Sequence, residues 1–583
     1  MNKAAIIHKA TREYCFPVRK NTFCIRAETQ KNDVREIVLH TRDKYLPAEK
    51  YDTRRTFVMQ RTASDEARDY YEAQVDIDLI CLRYFFEITD ITGSRLFFGD
   101  DRFSESMPED IEDMFDCPQT MREEGFPEIP EWAAGKVVYQ IFPSRFAPTG
   151  EIDENEWYRT PIGLDDRLGG SIKGITGKLG YIKELGADII YLTPVFDSET
   201  QHHYDTKDYY RICPELGTEQ DLKELVEKAH GCGLRVILDG VFNHTSADFF
   251  AFRDIRVNGE SSEYRNWYHI DRFPVDMGGK DKLPGYKAFA YYGGMPKLDL
   301  TNEETADYIT DVVCRYIREF DIDGWRLDVG DEIGHLFWKK LRLKVKKIKP
   351  DALLAGEAWH ICGDFLEGDE WDSCMNYAWY KAIRRLYSGG RIGDFIDTAG
   401  KIRGRYHGNV FAGLWNLIGS HDTSRFISEV CGGDRRILLS AAAITMLFPG
   451  APFICYGDEA GIGGLAPFDN RRGMLWGDRA DKHILNVYKS LTAFRHAHPE
   501  LWRELPEVLL LDEERRLLVL RQQDLVIVAE LSGNDVRADS IDILKEMLAE
   551  NKPEMLLTLS GSTDGSKIKG FDVLTFKVNN GVG

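Results

Sequence analysis

A chain of 583 residues is too long for a single hydrophobic core, so two to four domains are expected. Apolar residues at 43% and aromatics at 12% describe a globular protein able to stack on flat ligand faces, and no apolar run nears the roughly twenty residues of a membrane span. The 75 Lys and Arg against 96 Asp and Glu leave a net charge of −21, which argues against nucleic acid or an anionic membrane as the main partner and for a neutral or cationic substrate.

In chain order, Met1–Ala10 runs into Thr11-Arg12-Glu13 without the apolar stretch of a secretory signal. Residues 1–125 hold short runs, Thr22–Ala27, Glu36–His40, Thr56–Arg61, Tyr70–Val75 and Leu79–Thr89, that alternate or are rich in β-branched and aromatic residues. They predict a β-sandwich domain. Pro118, Gly125, Pro127 and Pro130 mark a linker reaching Trp132. From Val137 the texture becomes strand then helix: Val137–Pro143, Asp188–Pro194, Arg235–Asn243, Gly324–Val329, Ala352–Ala358, Ser373–Ala378, Phe411–Ser420 and Pro452–Gly457 read as strands, with amphipathic stretches such as Thr218–Gly231 and Thr305–Phe320 between them. Eight such units predict an α/β fold, a (β/α)8 TIM barrel over residues 131–505. The excursion after the third run, residues 245–298, is rich in Gly, Tyr, Trp and Asp and predicts an inserted domain. Beyond residue 506, Val508–Leu511, Leu517–Gln522, Leu525–Leu531, Met555–Thr558 and Val573–Val578 predict a C-terminal all-β domain. The eleven cysteines are scattered from Cys15 to Cys455 with no Cys-x-x-Cys pair and no zinc-like spacing, as suits reduced thiols in a cytoplasm.

The fourth barrel run, Gly324-Trp325-Arg326-Leu327-Asp328-Val329, puts charge where a buried strand should be apolar. The period of two sets Arg326 and Asp328 on one face, and the guanidinium keeps its neighbour ionised. Alone, an Arg-x-Asp reads as a structural ion pair; the other strand ends change that. The third ends in Asp239-Gly240-Val241-Phe242-Asn243-His244, the fifth in Gly356-Glu357-Ala358-Trp359-His360, and the seventh in Gly419-Ser420-His421-Asp422-Thr423-Ser424-Arg425. Barrel chemistry sits at the carboxyl ends of the strands, so Asp328, Glu357 and Asp422 are expected to converge there, flanked by His244 and His421. Paired carboxylates of this kind cleave glycosidic bonds, one attacking the anomeric carbon while a protonated partner donates to the leaving oxygen. Metal coordination competes, but carboxylates paired with an arginine suit a dication poorly.

DGVFNH, GWRLD, AGEAWH and IGSHDTSR, in this order, resemble the four signature segments of the α-amylase family of glycoside hydrolases, and the likeness covers essentially the whole length. MPKLD at Met295–Asp299 is similar to the segment marking the cyclomaltodextrinase, neopullulanase and maltogenic amylase group, whose usual form ends in Asn. The resemblance implies Asp328 as nucleophile, Glu357 as general acid/base and Asp422 as a third carboxylate binding sugar hydroxyls. It also implies substrate contacts from His202, Tyr204, His244, Phe289, Arg326, Trp359 and His421, with Asp469 and Arg471 of DNRRGMLW as a donor-side pair. Read without the family, Tyr204 is a loop or core aromatic and Trp359 equally a packing residue. The expected activity is retaining hydrolysis of α-1,4 bonds in cyclomaltodextrins, maltooligosaccharides, pullulan or starch, with sugar transfer; an exo-acting α-glucosidase or a non-catalytic sugar binder of the same fold are the alternatives. A homodimer through the N-terminal domain is expected, with no nucleic acid and no membrane as partners. No cofactor is implied. The calcium site of many relatives is expected to be missing or weak, because the matching regions read Pro143-Ser144-Arg145-Phe146-Ala147-Pro148-Thr149 and Gly169-Gly170-Ser171, poor in the oxygen ligands a hard cation needs. Gly330-Asp331-Glu332 replaces the usual Ala-Asn-Glu and adds a negative charge on the acceptor side.

Overall fold

The structure is a computed structural model that describes residues 1–47, 50–76, 79–118, 125–551, 554–561 and 567–578. The chain divides into two compact units, one of Met1–Ile129 with Ile361–Asp372 and Gly393–Phe411, the other of Pro130–His360, Ser373–Ile392 and Ala412–Gly583.

In the first unit two antiparallel sheets form. One runs Cys15–Arg19, Thr22–Gln30, Arg68–Asp76, Gln60–Ser64; the other runs Arg55–Val58, Val34–Asp43, Cys81–Asp90, Arg95–Gly99, Arg102–Ser104, with Phe115–Pro118 also paired to Cys81–Asp90. Alternating apolar side chains bury Phe23, Ile25, Ile37, Leu39, Tyr84, Phe86 and Ile88 in one core. The run expected as one strand over Thr56–Arg61 is two, because the chain changes sheets at the buried Met59, whose N–H donates to the Ile37 carbonyl. Four short strands, Cys15–Arg19, Arg95–Gly99, Arg102–Ser104 and Phe115–Pro118, carried too little pattern to be predicted. Of the expected linker, residues 119–124 lie outside the described residues. Glu72 is gripped by Arg26, at 2.6 Å, and by Arg403, at 2.9 Å.

The second unit holds a closed barrel of eight parallel strands in chain order: Val138–Ile141, Ile189–Leu192, Arg235–Gly240, Gly324–Leu327, Leu353–Ala358, Ser373–Asn376, Trp415–Leu417 and Ala451–Cys455. Each is fully buried but for the edge of the third, which explains why they read as apolar runs rather than alternating ones. The helices carry their own start signals. Thr218 and Asp221 form a reciprocal capping box for Glu219–Gly231, and the Asn302 side chain caps Glu303–Phe320. Trp325, on the outward face of the fourth strand, packs edge-on to Phe242 and Tyr316.

The excursion after the third strand has a helix, Phe250–Asn258, and is otherwise held by isolated bridges such as His244 to Lys297 and Tyr268 to Leu298. Aromatic contacts among Phe250, Tyr264, Trp267 and Tyr308 order it where regular sheet is lacking. A hairpin not foreseen, Phe196–Ser198 with Thr206–Ile212, follows the second barrel strand. The chain ends in a five-stranded antiparallel sheet, Glu507–Asp512, Leu517–Gln522, Leu525–Glu530, Val573–Lys577 and Glu554–Thr558, accompanied by the helix Asp542–Asn551. No helix of the described residues is long and apolar enough to cross a membrane.

Candidate active site

Strand register brings the polar ends together. Asp239 lies opposite Arg326 across the third and fourth strands, and Arg326 opposite Ala355 across the fourth and fifth, with Glu357 two residues further on. The Arg326 guanidinium is fully buried and serves three carboxylates. Its Nη1 donates to Asp328 Oδ1 at 2.7 Å and to Asp239 Oδ1 and Oδ2 at 2.9 and 3.1 Å. Its Nη2 lies 2.6 Å from Glu357 Oε2, an ion pair without hydrogen-bond alignment. Tyr191 and Tyr204 donate their hydroxyls to Asp239 at 2.6 and 2.8 Å.

Directly after Asp328 the backbone of Val329 takes φ 47°, a left-handed conformation that costs a β-branched residue on the order of 1–3 kcal/mol. That turn aims the Val329 N–H at Glu357 Oε2, 3.1 Å away, while the Trp359 indole N–H reaches Glu357 Oε1 at 3.2 Å. Both oxygens of Glu357 are thus located by groups that cannot accept a proton. Burial raises Asp328 and Glu357 above the ordinary carboxylate range; Arg326 opposes this for both, and Asp422 adds to it for Glu357. Asp239, pushed up to about 6 by burial against the pull of Arg326, belongs to the same cluster. Three buried acids around one guanidinium cannot all ionise cheaply, so the cluster as a whole retains a proton towards neutrality.

Asp422 stands apart at the end of the seventh strand and is partly exposed. Arg471 Nη2 pairs with its Oδ1 at 3.1 Å, and His421 Nε2 lies 3.1 Å from its Oδ2. Gln140, from the first strand, binds His421 Nδ1 at 2.7 Å and accepts the His421 N–H at 3.1 Å. Burial drives both His421 and His244 well below the ordinary imidazole range, so both rings are neutral. His244 is fully buried, with Nε2 on the Tyr204 carbonyl at 3.1 Å and its ring stacked on Phe289 at 4.8 Å. His202 and Tyr204 ride on the loop of the unforeseen hairpin, where His202 Nδ1 accepts the Tyr204 N–H at 3.0 Å. Trp359, 42% exposed, stacks one face on Tyr377 at 3.9 Å.

Asp469 and Arg471, expected together on the donor side, take different partners. Asp469 is bound to Arg472 and accepts the Ile162 N–H at 2.9 Å, whereas Arg471 turns to Asp422 and to the His421 carbonyl at 2.8 Å. Four residues that sequence reading left unassigned belong to the cluster or its support: Asp239, Tyr191, Gln140 and Tyr377. Asp239 was visible as the first letter of DGVFNH, but nothing local distinguishes it from any strand-end acid.

Lys297 anchors the inserted segment. Its Nζ is bound to Asn243 Oδ1 and donates to the Glu332 carbonyl at 3.1 Å, next in sequence to Asp331, which lies 3.5 Å from His360. In the segment after the first strand the Arg145 guanidinium is buried, with Nε and Nη1 lacking hydrogen-bond partners.

Comparison with known proteins agrees with this arrangement. The family description "Alpha amylase, catalytic domain" matches residues 140–490 and "Alpha amylase, N-terminal ig-like domain" matches residues 1–121. The chain is 37% identical over 508 residues to Neopullulanase 2 of Thermoactinomyces vulgaris, covering 86% of this chain and 85% of that one. It is 38% identical over 513 residues to a cyclomaltodextrinase of Thermoanaerobacter pseudethanolicus, covering 86% and 87%. A solved structure titled Cyclomaltodextrinase superposes with a TM-score of 0.88 at 29% identity over 99% of this chain and 100% of that one. With an eight-stranded barrel, buried carboxylates on one arginine at its mouth and matches spanning both large domains, the chain belongs to the α-amylase family of glycoside hydrolases.

Proposed function

We propose that the protein is a retaining hydrolase of α-1,4-glucosidic bonds that acts on cyclomaltodextrins and short maltooligosaccharides in preference to starch, accepts pullulan, and transfers sugar to acceptors as a side reaction. The observation that carries this reading is the sharing of one buried guanidinium by Asp328 and Glu357, the carboxylates read as nucleophile and proton donor. Retention needs the two carboxyls about 5–5.5 Å apart, so that one bonds to the anomeric carbon while the other works from the leaving-group side. Asp328 Oδ attacks, Glu357 gives its proton to the departing glycosidic oxygen, and water then enters as Glu357 takes a proton from it. The new C–O bond to Asp328 breaks in that second step. Asp422, oriented by Arg471 and His421, takes the hydroxyls of the distorted ring; Tyr204, held by Asp239, meets its face. His244 and Phe289 brace the Tyr204 backbone from behind, and Trp359 offers its exposed edge to the acceptor. Asp469, tied to Arg472, lines the donor end.

Initial rates and products on β-cyclodextrin, pullulan and soluble starch, run side by side, test the substrate order. Starch cleaved as fast as β-cyclodextrin overturns it, and glucose released one unit at a time from maltotriose points to the exo-acting alternative. The cationic Arg145 supports a calcium site that is absent or weak; a tight calcium isotherm by calorimetry refutes this. We further infer a cytoplasmic homodimer built through the N-terminal domain, supported by the domain match over residues 1–121 and the scattered thiols. Sedimentation of a monomer at micromolar concentration removes the dimer, and recovery of activity outside the cell membrane on fractionation removes the compartment.

A further inference from the structure

Within the N-terminal unit the Sγ atoms of Cys15 and Cys117 lie 2.7 Å apart, both in the dry core between the sheets. Covalent S–S bonds are about 2.05 Å long, so these sulfurs need less than an ångström of approach to join. Each sits on a strand that pairs on one side. Cys15 opens Cys15–Arg19, the outermost strand of the four-stranded sheet, and Cys117 lies in Phe115–Pro118, which among the described residues pairs with Cys81–Tyr84 alone. Short edge strands belong to the low-stability end of a fold and open locally.

We propose that Cys15 and Cys117 form a reversible disulfide site, oxidised by a low-molecular-weight disulfide of the glutathione type. Opening of Phe115–Pro118 lets the Cys117 thiol lose its proton and attack one sulfur of the small disulfide, giving a mixed disulfide and expelling a thiolate that takes up that proton. On reclosing, Cys15 attacks Cys117 Sγ; the bond to the small thiol breaks and the second leaving thiolate takes the proton of Cys15. Two protein thiols are oxidised and one small disulfide is reduced to two thiols. Burial pushes the Cys117 thiol well above its ordinary range, so the closed protein reacts slowly and opening controls the rate. The bond staples the edge of one sheet to the edge of the other across 102 positions of chain.

The test is incubation of the folded, full-length protein with excess oxidised glutathione, followed by alkylation, peptide mapping and thiol titration. Cys232 is exposed and takes up glutathione as an internal control for the oxidant. In Cys232→Ser, ten thiols remain of the eleven, and titration is expected to fall to eight, with the Cys15 and Cys117 peptides joined until dithiothreitol separates them. Cys24→Ser is expected to keep the link and Cys117→Ser to lose it. Recovery of Cys15 and Cys117 as separately alkylated peptides, from protein whose Cys232 carries glutathione, overturns the proposal. So does a link that joins either cysteine to a different partner.

Discussion

Arg326 fixes the chemistry by being shared: its Nη1 serves Asp239 and Asp328, and its Nη2 faces Glu357. Asp328→Asn removes the oxygen proposed to attack and leaves the other two acids in place. Its kcat is expected to fall by about 10⁴-fold or more, with the melting midpoint unchanged within error; steady-state hydrolysis beside a thermal melt checks both, and turnover near wild type sinks the assignment of the nucleophile. A subtler variant is Trp359→Phe. The indole N–H on Glu357 Oε1 stabilises the carboxylate form, so losing it raises the Glu357 pKa. If Glu357 is the acid, as proposed, it must start protonated, so the alkaline limb of kcat/KM is expected to move to higher pH, and a limb that stays put argues that Trp359 acts by stacking alone. At this scale the sequence is readable wherever charge interrupts an apolar strand, which exposed Arg326, Asp328, Glu357 and Asp422. Asp239 escaped because its partners, Tyr191 and Tyr204, come from elsewhere in the chain and meet it through barrel closure.

Among the elements, the barrel strands were legible because both their faces are buried, leaving short runs with many apolar residues bounded by turn residues. Their ends were less so. The seventh was expected over Phe411–Ser420 but is Trp415–Leu417, since a helical turn, Gly408–Phe411, occupies the beginning of that run. The hairpin that carries His202 and Tyr204 was missed, its Lys207, Asp208, Tyr209 and Tyr210 lacking strict alternation. Lys297 ties the return limb of the inserted segment to Asn243 and to the turn at Glu332. Lys297→Met keeps the length and removes the charge. Loosening that limb is expected to raise KM for cyclomaltodextrin several-fold while changing kcat less, because the carboxylates stay on Arg326; a fall confined to kcat contradicts this role.

Over the whole molecule, two largely buried carboxylates, Glu72 and Asp323, make folding sensitive to acid. Burial works to raise Glu72, but Arg403 and Arg26 outweigh it and hold it well below the ordinary range. Asp323, at the opposite end of the fourth strand from the active site, is likewise pushed up by burial yet held at about 2 by His230, the Val236 N–H and Lys349. A depressed carboxylate contributes stability that is complete above its unfolded value, near 4, and drains away as pH falls towards its folded value. The melting midpoint is therefore expected to decline from about pH 5 downward. Glu72→Gln leaves two buried guanidiniums poorly matched, costs about 3 kcal/mol at neutral pH, and flattens the decline; a wild-type midpoint level from pH 6 to pH 3 contradicts the account.

The partition of the chain bears on any attempt to take it apart. Ile361–Asp372 and Gly393–Phe411 lie, by sequence, amid the barrel, yet they pack with the first 129 residues. Severing the polypeptide near residue 126 would strip Arg403 of Glu72 and the Tyr406 carbonyl of Arg26, so the remaining fragment would be a wounded enzyme rather than a minimal one. Grafting this amino-terminal unit onto another barrel would have to transplant both excursions with it.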